Sequence, residues 1–307
     1  MAAWQWRETD AMTKTNLCST LGNYIILIKP WIVALLLTTT LAAMLVAARG
    51  FPGTQILFFT LLGGALTSGG ASALNSYIDR DIDPHMGRTS RRPIPTGKIA
   101  PRHALIFGFV SSVLGVFALA MFVNLLSAVL AFVGLVYYVI VYTVILKRCT
   151  PQNVVIGGAA GAIPPLVGWA AVTNEVNLFA VFLFLIIFYW TPPHTWALML
   201  TVSKDYEKVK VPMMPVALGE TETRRQIALY SLLMVAITLL PFSIRDLGGL
   251  YLIAALLLDG WFVYLSFRLM RDGSKRTARR LYLYSNAYLA LLFGAMIVDA
   301  SIFHLFV

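Results

Sequence analysis

Charge is what this sequence has least of. Only 12% of its 307 residues are Asp, Glu, Lys or Arg, and its mean hydropathy is +0.77. An ordinary soluble domain carries about twice that share of charge, so a water-facing surface is excluded for most of the chain. Cysteine is nearly absent too. Cys18 and Cys149 stand far apart without a partner motif, which excludes a disulfide framework and a metal knuckle. The first 22 residues hold no apolar run long enough for a signal-peptide core, and Glu8 and Asp10 among them count against an Arg-rich transit peptide. Alternating apolar and polar stretches, the mark of membrane strands, are missing as well.

What is present is apolar: 59% of the residues. Nine runs near 20 residues long, at about 24–47, 55–78, 103–123, 125–146, 153–173, 177–200, 226–244, 249–267 and 281–303, predict an all-α polytopic bundle of nine transmembrane helices, because lipid-exposed backbone must satisfy itself within a helix. The tight junction near Asn124 separates the third span from the fourth. A short segment, 1–23, precedes a single membrane domain, 24–307, with no linker to divide it. All Lys and Arg except Arg49 and Arg245 fall on one side of this arrangement. The bias predicts a cytoplasmic N-terminus, and with neither a signal-peptide core nor an Arg-rich transit peptide the expected address is a bacterial plasma (inner) membrane. A net charge of +10 placed between apolar spans reflects topology rather than nucleic-acid binding.

Two clusters near span ends carry the chemistry. At the end of the second span the sequence reads Asn75-Ser-Tyr-Ile-Asp79-Arg-Asp-Ile-Asp83-Pro-His. Four-residue spacing puts Asn75, Asp79 and Asp83 on one helical face, with Asp81 pointing away. Oxygen ligands too few to fill an octahedron suit Mg²⁺ whose shell is completed by substrate phosphates and water. Pro84 disfavours helical geometry at Asp83, so that ligand is expected on a fraying turn. The alternative is a solvated helix end paired with arginines, but acids directly after an apolar span are costly and usually functional. Arg88, Arg91, Arg92 and Lys98 follow, in a loop stiffened by two prolines, and such forks grip phosphate oxygens. His85 in the same loop faces either phosphate or solvent.

The second cluster follows the sixth span: Lys204-Asp205-Tyr206-Glu207. Asp205 and Glu207 offer oxygens to a metal ion, Lys204 neutralises a leaving diphosphate, and Tyr206 is a candidate base. Read alone, this is a charged loop. Upstream, Pro192 and Pro193 precede His194, which either bonds a neighbouring carbonyl or contacts a porphyrin. His103 and His304 sit at span ends. Asp259 and Asp299 lie in apolar surroundings and are each expected to pair with a polar neighbour. The run Gly157-Gly-Ala-Ala-Gly161 before Pro164-Pro165 lets helices approach closely, or lines a pocket for a flat ring or an isoprenoid tail.

The Asn75/Asp79/Asp83 spacing followed by Arg-Pro-Ile-Pro-Thr-Gly resembles the first motif of the UbiA-type intramembrane prenyltransferases. The strings YTVILKRCTPQNVVIGGAAGAIPPLVGWAA, TPPHTWAL and KDYEKVKVPMMPV resemble, more narrowly, the heme-prenylating branch of that family, over most of the chain from Lys29 to about Arg225. The resemblance implies a nine-helix bundle open laterally to lipid, with a cytoplasm-facing site. It implies that Mg²⁺, held by Asn75, Asp79, Asp83 and Asp205, assists transfer of farnesyl from farnesyl diphosphate to a vinyl group of heme B, with addition of water. Lys29, Lys147, Arg148, His194 and Trp196 then join the loop cations in substrate binding, and heme A synthase or terminal oxidase assembly proteins become candidate partners. Two positions depart from the branch: Trp31 stands where a basic residue is usual, and Thr195 where an aromatic is. A quinone precursor is the rival substrate. A transporter is the rival class, against which stands the lack of any inverted repeat.

Overall fold

The structure is a computed structural model that describes residues 19–244 and 246–303. Most of segment 1–23, together with Cys18, Arg245 and His304, lies outside the described residues. Among those described, nine helices are long and apolar enough to span a membrane. They are α1 (Pro30–Ala47), α2 (Thr54–Ile78), α3 (Pro101–Phe122), α4 (Leu125–Val136, continuing as a π-helix over Tyr137–Leu146), α5 (Asn153–Thr173), α6 (Leu178–Lys208), α7 (Gly219–Thr238), α8 (Gly249–Asp272) and α9 (Lys275–Phe303). No strand occurs among the described residues.

Local chemistry explains the ends. Pro30 and Pro101 open α1 and α3, where a missing N–H costs nothing. Asn124 caps α4 by accepting from the Ser127 amide, and so breaks α3 from α4 as its sequence position predicts. Gly273 closes α8 in the left-handed conformation.

Three elements differ from the sequence expectation. The first span does not run from residue 24. Helix over 19–27 stops before Lys29, where Pro30 disfavours right-handed helical geometry in the residue before it; Lys29 takes left-handed φ and ψ of 55° and 65°. The α2 helix ends at Ile78, and Asp79–Asp81 and Asp83–His85 are successive 3₁₀ turns, so the three ligand candidates do not share one straight helical face. The sixth helix passes through Pro192 and Pro193 and reaches Lys208, with its one non-helical residue at Val202; Lys204–Glu207 therefore sit on a helix, not a loop.

Packing divides the bundle. Helices α2 and α3 approach closely enough that a Cβ at Gly70 would lie 2.6 Å from the Gly108 carbonyl oxygen. On α5, Gly168 lies against the α1 backbone, 2.3 Å from Thr40 O if a Cβ were added. The largest buried cluster joins α6 to α7, α8 and α9 through Trp196, Tyr251, Phe262 and Tyr288. The opposite flank of α3 and α4 leaves Phe109, Phe117, Phe132 and Ile145 exposed, as lipid, but not water, tolerates.

Candidate active site

The 3₁₀ turns after α2 roll Asp79 and Asp83 inward and leave Asp81 outside. Asp79 is 1% exposed and Asp83 2%, whereas Asp81 is exposed. One oxygen of Asp79, Oδ2, accepts from Asn75 Nδ2 at 2.9 Å and from Lys147 Nζ. Asn75 also donates to Thr143 Oγ1 at 3.2 Å, and its Oδ1 accepts from Lys29 Nζ at 2.6 Å. Arg92 forks onto both oxygens of Asp83, at 3.1 and 2.8 Å. Arg148 forks onto Asp81 instead, and reaches only to 3.9 Å from Asp79. Burial, reinforced by Arg92 and Lys147, pushes the Lys29 ammonium down to about 7, with Asp79 and Asp83 opposing.

The two sequence clusters meet. Arg88 of the loop after α2 donates to the Tyr206 hydroxyl at 3.1 Å. A Cβ on Gly87 would lie 3.3 Å from Asp205 Oδ2, so the last turns of α6 pack against that loop. Asp205 also pairs with Lys208 at 3.6 Å. Arg91, Lys98, Lys204 and Glu207 are exposed and make no hydrogen bond or ion pair to this group. His85 is exposed and bonds back to the Asp81 carbonyl.

Beside the polar group lies a cavity of about 360 Å³ between α1, α2, α4, α5 and α6. Among the described residues, its lining carries no charge. Ser72, one turn before Asn75, and Tyr138 and Tyr142, five and one residues before Thr143, form the end nearest the carboxylates, while Leu36, Ile163 and Val167 are among its apolar walls. The glycine run does both things its sequence allows: Gly157 admits the Tyr142 ring, and Gly161, with nothing within 4 Å of a built Cβ, opens onto the cavity. Thr191 and Thr195 line it as well. His194 and Trp196 do not. His194 stacks on Trp190, ring centroids 4.1 Å apart, and bonds Ser285 of α9 at 2.6 Å; Trp196 is fully buried against Tyr230 of α7.

A sequence profile described as the UbiA prenyltransferase family matches residues 36–292. The chain belongs to this family. Among its relatives, a Roseiflexus castenholzii protein named protoheme IX farnesyltransferase is 49% identical over 96% of this chain and 55% of its own length. A Gloeobacter violaceus protein of the same name is 48% identical over 93% of this chain and 94% of its own. The chain thus spans about half the length of some curated relatives it matches, and nearly all of others. A UbiA homologue from Archaeoglobus fulgidus, solved with DMAPP and Mg²⁺, shares the fold with a TM-score of 0.66 and 18% identity, over 89% of this chain and 99% of that one.

For a UbiA-family site the fit to a divalent ion rests on the oxygens. Among the described residues, no three His, Cys, Asp or Glu side chains form a metal cluster by themselves. Asp79 Oδ1, however, is buried and accepts no hydrogen bond, an arrangement that is costly for a carboxylate unless a cation answers it. With Asn75 Oδ1 and Asp83 beside it, the donor set is all oxygen and incomplete, as suits Mg²⁺ that brings substrate oxygens with it.

Sequence reasoning missed Tyr138, Tyr142 and Thr143. No signal in the sequence singles them out, since other tyrosines, Tyr24, Tyr77, Tyr282 and Tyr284 among them, also lie near the basic ends of the spans. Asp259 and Asp299 do pair as expected. Thr238 and Tyr288 donate to Asp259 at 2.6 and 2.7 Å, and Asp299 accepts from the Gly248 and Tyr251 amides, so capping the start of α8 from α9.

Proposed function

We propose that this protein is a heme O synthase: it transfers the farnesyl group of farnesyl diphosphate to a vinyl group of heme B, with water adding to the neighbouring carbon. The observation that carries the reading is the meeting of buried Asn75, Asp79 and Asp83 with Lys29, Lys147, Arg88 and Arg92 at one end of an uncharged cavity. The relatives' shared name supports the choice of donor and acceptor. The Lys and Arg bias supports a plasma-membrane protein whose site faces the cytoplasm.

Asn75, Asp79, Asp83 and Asp205 would hold Mg²⁺, whose charge lowers the cost of diphosphate departure when bound. Lys29, Lys147, Arg88 and Arg92 then release Asn75, Asp79, Tyr206 and Asp83 and turn to the phosphate oxygens, with Arg91, Lys98, Lys204 and Arg148 at the rim. The C1–O bond breaks and its electron pair leaves on the diphosphate. The uncharged cavity holds the isoprenoid tail and keeps water from the allylic cation. The vinyl π electrons form the new C–C bond, and a water oxygen closes the remaining cation while one proton passes to solvent. His194, outside the cavity but held by Ser285, is a candidate contact for the porphyrin from the other face of α6.

The test is acceptor choice. Purified protein given labelled farnesyl diphosphate with heme B or with 4-hydroxybenzoate is expected to label heme alone. Label on the benzoate, and none on heme, would assign it to quinone biosynthesis.

A further inference from the structure

Between α6 and α9, outside the chamber, stands a group of aromatic rings. His194 stacks on Trp190 with ring centroids 4.1 Å apart, and Tyr282 of α9 lies 4.9 Å from the His194 ring. Ser285, three residues further along α9, bonds His194 at 2.6 Å, and its carbonyl accepts from Trp190 Nε1 at 2.9 Å, so the rings are fixed in place. Trp190 is buried behind them, whereas His194 and Tyr282 are half-buried and keep part of their surface open. Towards the basic side, α9 begins at Lys275 with a run of cations. At about 100° per residue, Lys275, Arg279, Tyr282 and Asn286 fall within about 60° of one another, while Arg280 falls on the far side of the helix. Arg279 is only about 4.5 Å along the axis from Tyr282, less than one turn. Lys275 and Arg279 are exposed, and neither side chain pairs with a described residue. Membrane topology accounts for cations in this connection; it does not account for two unpaired ones in register with a ring cluster.

We propose that Arg279, backed by Lys275, anchors the propionates of the heme acceptor, while the rings of His194 and Tyr282 carry its macrocycle. The inference rests on the farnesyl-transfer reading above and adds an acceptor site to it. Heme B is an amphiphile: its ring is flat and apolar, its two propionate carboxylates stand on one half of the macrocycle, and its two vinyls stand on the other. A site for it at a membrane surface needs an aromatic wall at the depth of the ring and cations nearer the water, in that order along one face. The α9 stripe has that order. A guanidinium also meets a carboxylate through two parallel hydrogen bonds, which fixes the direction of the propionate edge as well as its position. With that edge held at the basic surface the vinyl half points inward, and the chamber is reached beside Thr191 and Thr195, which flank His194 on α6.

The experiment compares heme B with its dimethyl ester, which keeps the ring and the vinyls but loses both negative charges. KM for each porphyrin and for farnesyl diphosphate is measured in the wild type, in Arg279→Gln, in Arg279→Gln combined with Lys275→Gln, and in Arg280→Gln as a control on the opposite side of α9. All three positions are exposed, so loss of folding does not confound the series. The wild type is expected to show a KM for the ester about ten- to a hundred-fold above that for heme B, the range of one or two charge-assisted hydrogen bonds. Arg279→Gln is expected to raise KM for heme B about tenfold, to leave KM for farnesyl diphosphate unchanged, and to lose most of the discrimination against the ester, because the two changes remove one shared interaction. The double variant is expected to lose the rest, and Arg280→Gln to discriminate as the wild type does. A wild type that takes the ester as readily as heme B, or an Arg279→Gln protein that rejects it as strongly as the wild type, would overturn the proposal. So would an equal loss in Arg280→Gln, which would reduce the effect to general surface charge. A wild type that labels neither porphyrin would instead sink the farnesyl-transfer reading, on which the anchor depends.

Discussion

Asp79 accepts two hydrogen bonds through Oδ2 and none through Oδ1, while burial strips both of water. That imbalance makes it the most consequential side chain of the site. Replacing Asp79 by Ala is expected to lower kcat for heme farnesylation by about 10²- to 10³-fold, the range seen when one electrostatic stabiliser is removed; a kinetic assay on membranes with saturating Mg²⁺ checks it. Lys147→Met, which removes the cation on Asp79 Oδ2, is expected to raise KM for farnesyl diphosphate about tenfold or more, since a charge-assisted bond to phosphate is lost. At this scale the sequence was legible where spacing forces proximity, as at Asn75 and Asp79. It was silent where proximity comes from folding: nothing in the string places Lys147 on Asp79 across 68 positions, or Arg88 on Tyr206 across 118. It also did not show that Arg91, Lys98 and Lys204 stay exposed, outside the hydrogen-bonded group.

Helices set how those residues meet. Apolar run length gave the count and most ends of the spans, because lipid solvation acts on composition alone. The π-helix at Tyr137–Leu146 left no such trace: its register depends on neighbours, not on periodicity. The continuation of α6 to Lys208 was hidden for a related reason, since helix ends in water depend on packing against the loop at Gly87 rather than on hydropathy. Two expectations belong here. Gly168→Ala would drive a methyl into Thr40 O, and thermal unfolding in detergent is expected to register a loss of about 1 to 3 kcal/mol. Asp259→Leu would strand the Tyr288 hydroxyl of α9 and leave Thr238 of α7 only its own helix carbonyl, Val235 O; a loss of about 1 to 2 kcal/mol is expected, with specific activity of the folded fraction kept. Loss of activity without loss of stability would show that Asp259 does more than tie three helices.

Across the whole molecule, the halves do different work. Helices α1, α2, α4, α5 and α6 surround the cavity and its charged end, while α7, α8 and α9 pack against α6 through a buried cluster and the Asp259 and Asp299 bonds. Fold class was legible because apolar surface on this scale has one solvent; the cavity was not, because a void is a property of several helices at once. The claim on which the rest depends is that buried oxygens beside a cation-rich loop bind a metal diphosphate and release its prenyl group. It is tested most directly by incubating the protein with heme B and labelled farnesyl diphosphate, with Mg²⁺ and then with EDTA, and weighing the products. A heme heavier by one farnesyl group and one hydroxyl, formed with Mg²⁺, abolished by EDTA and restored by added Mg²⁺, is the predicted result. The same adduct formed undiminished in EDTA would contradict it.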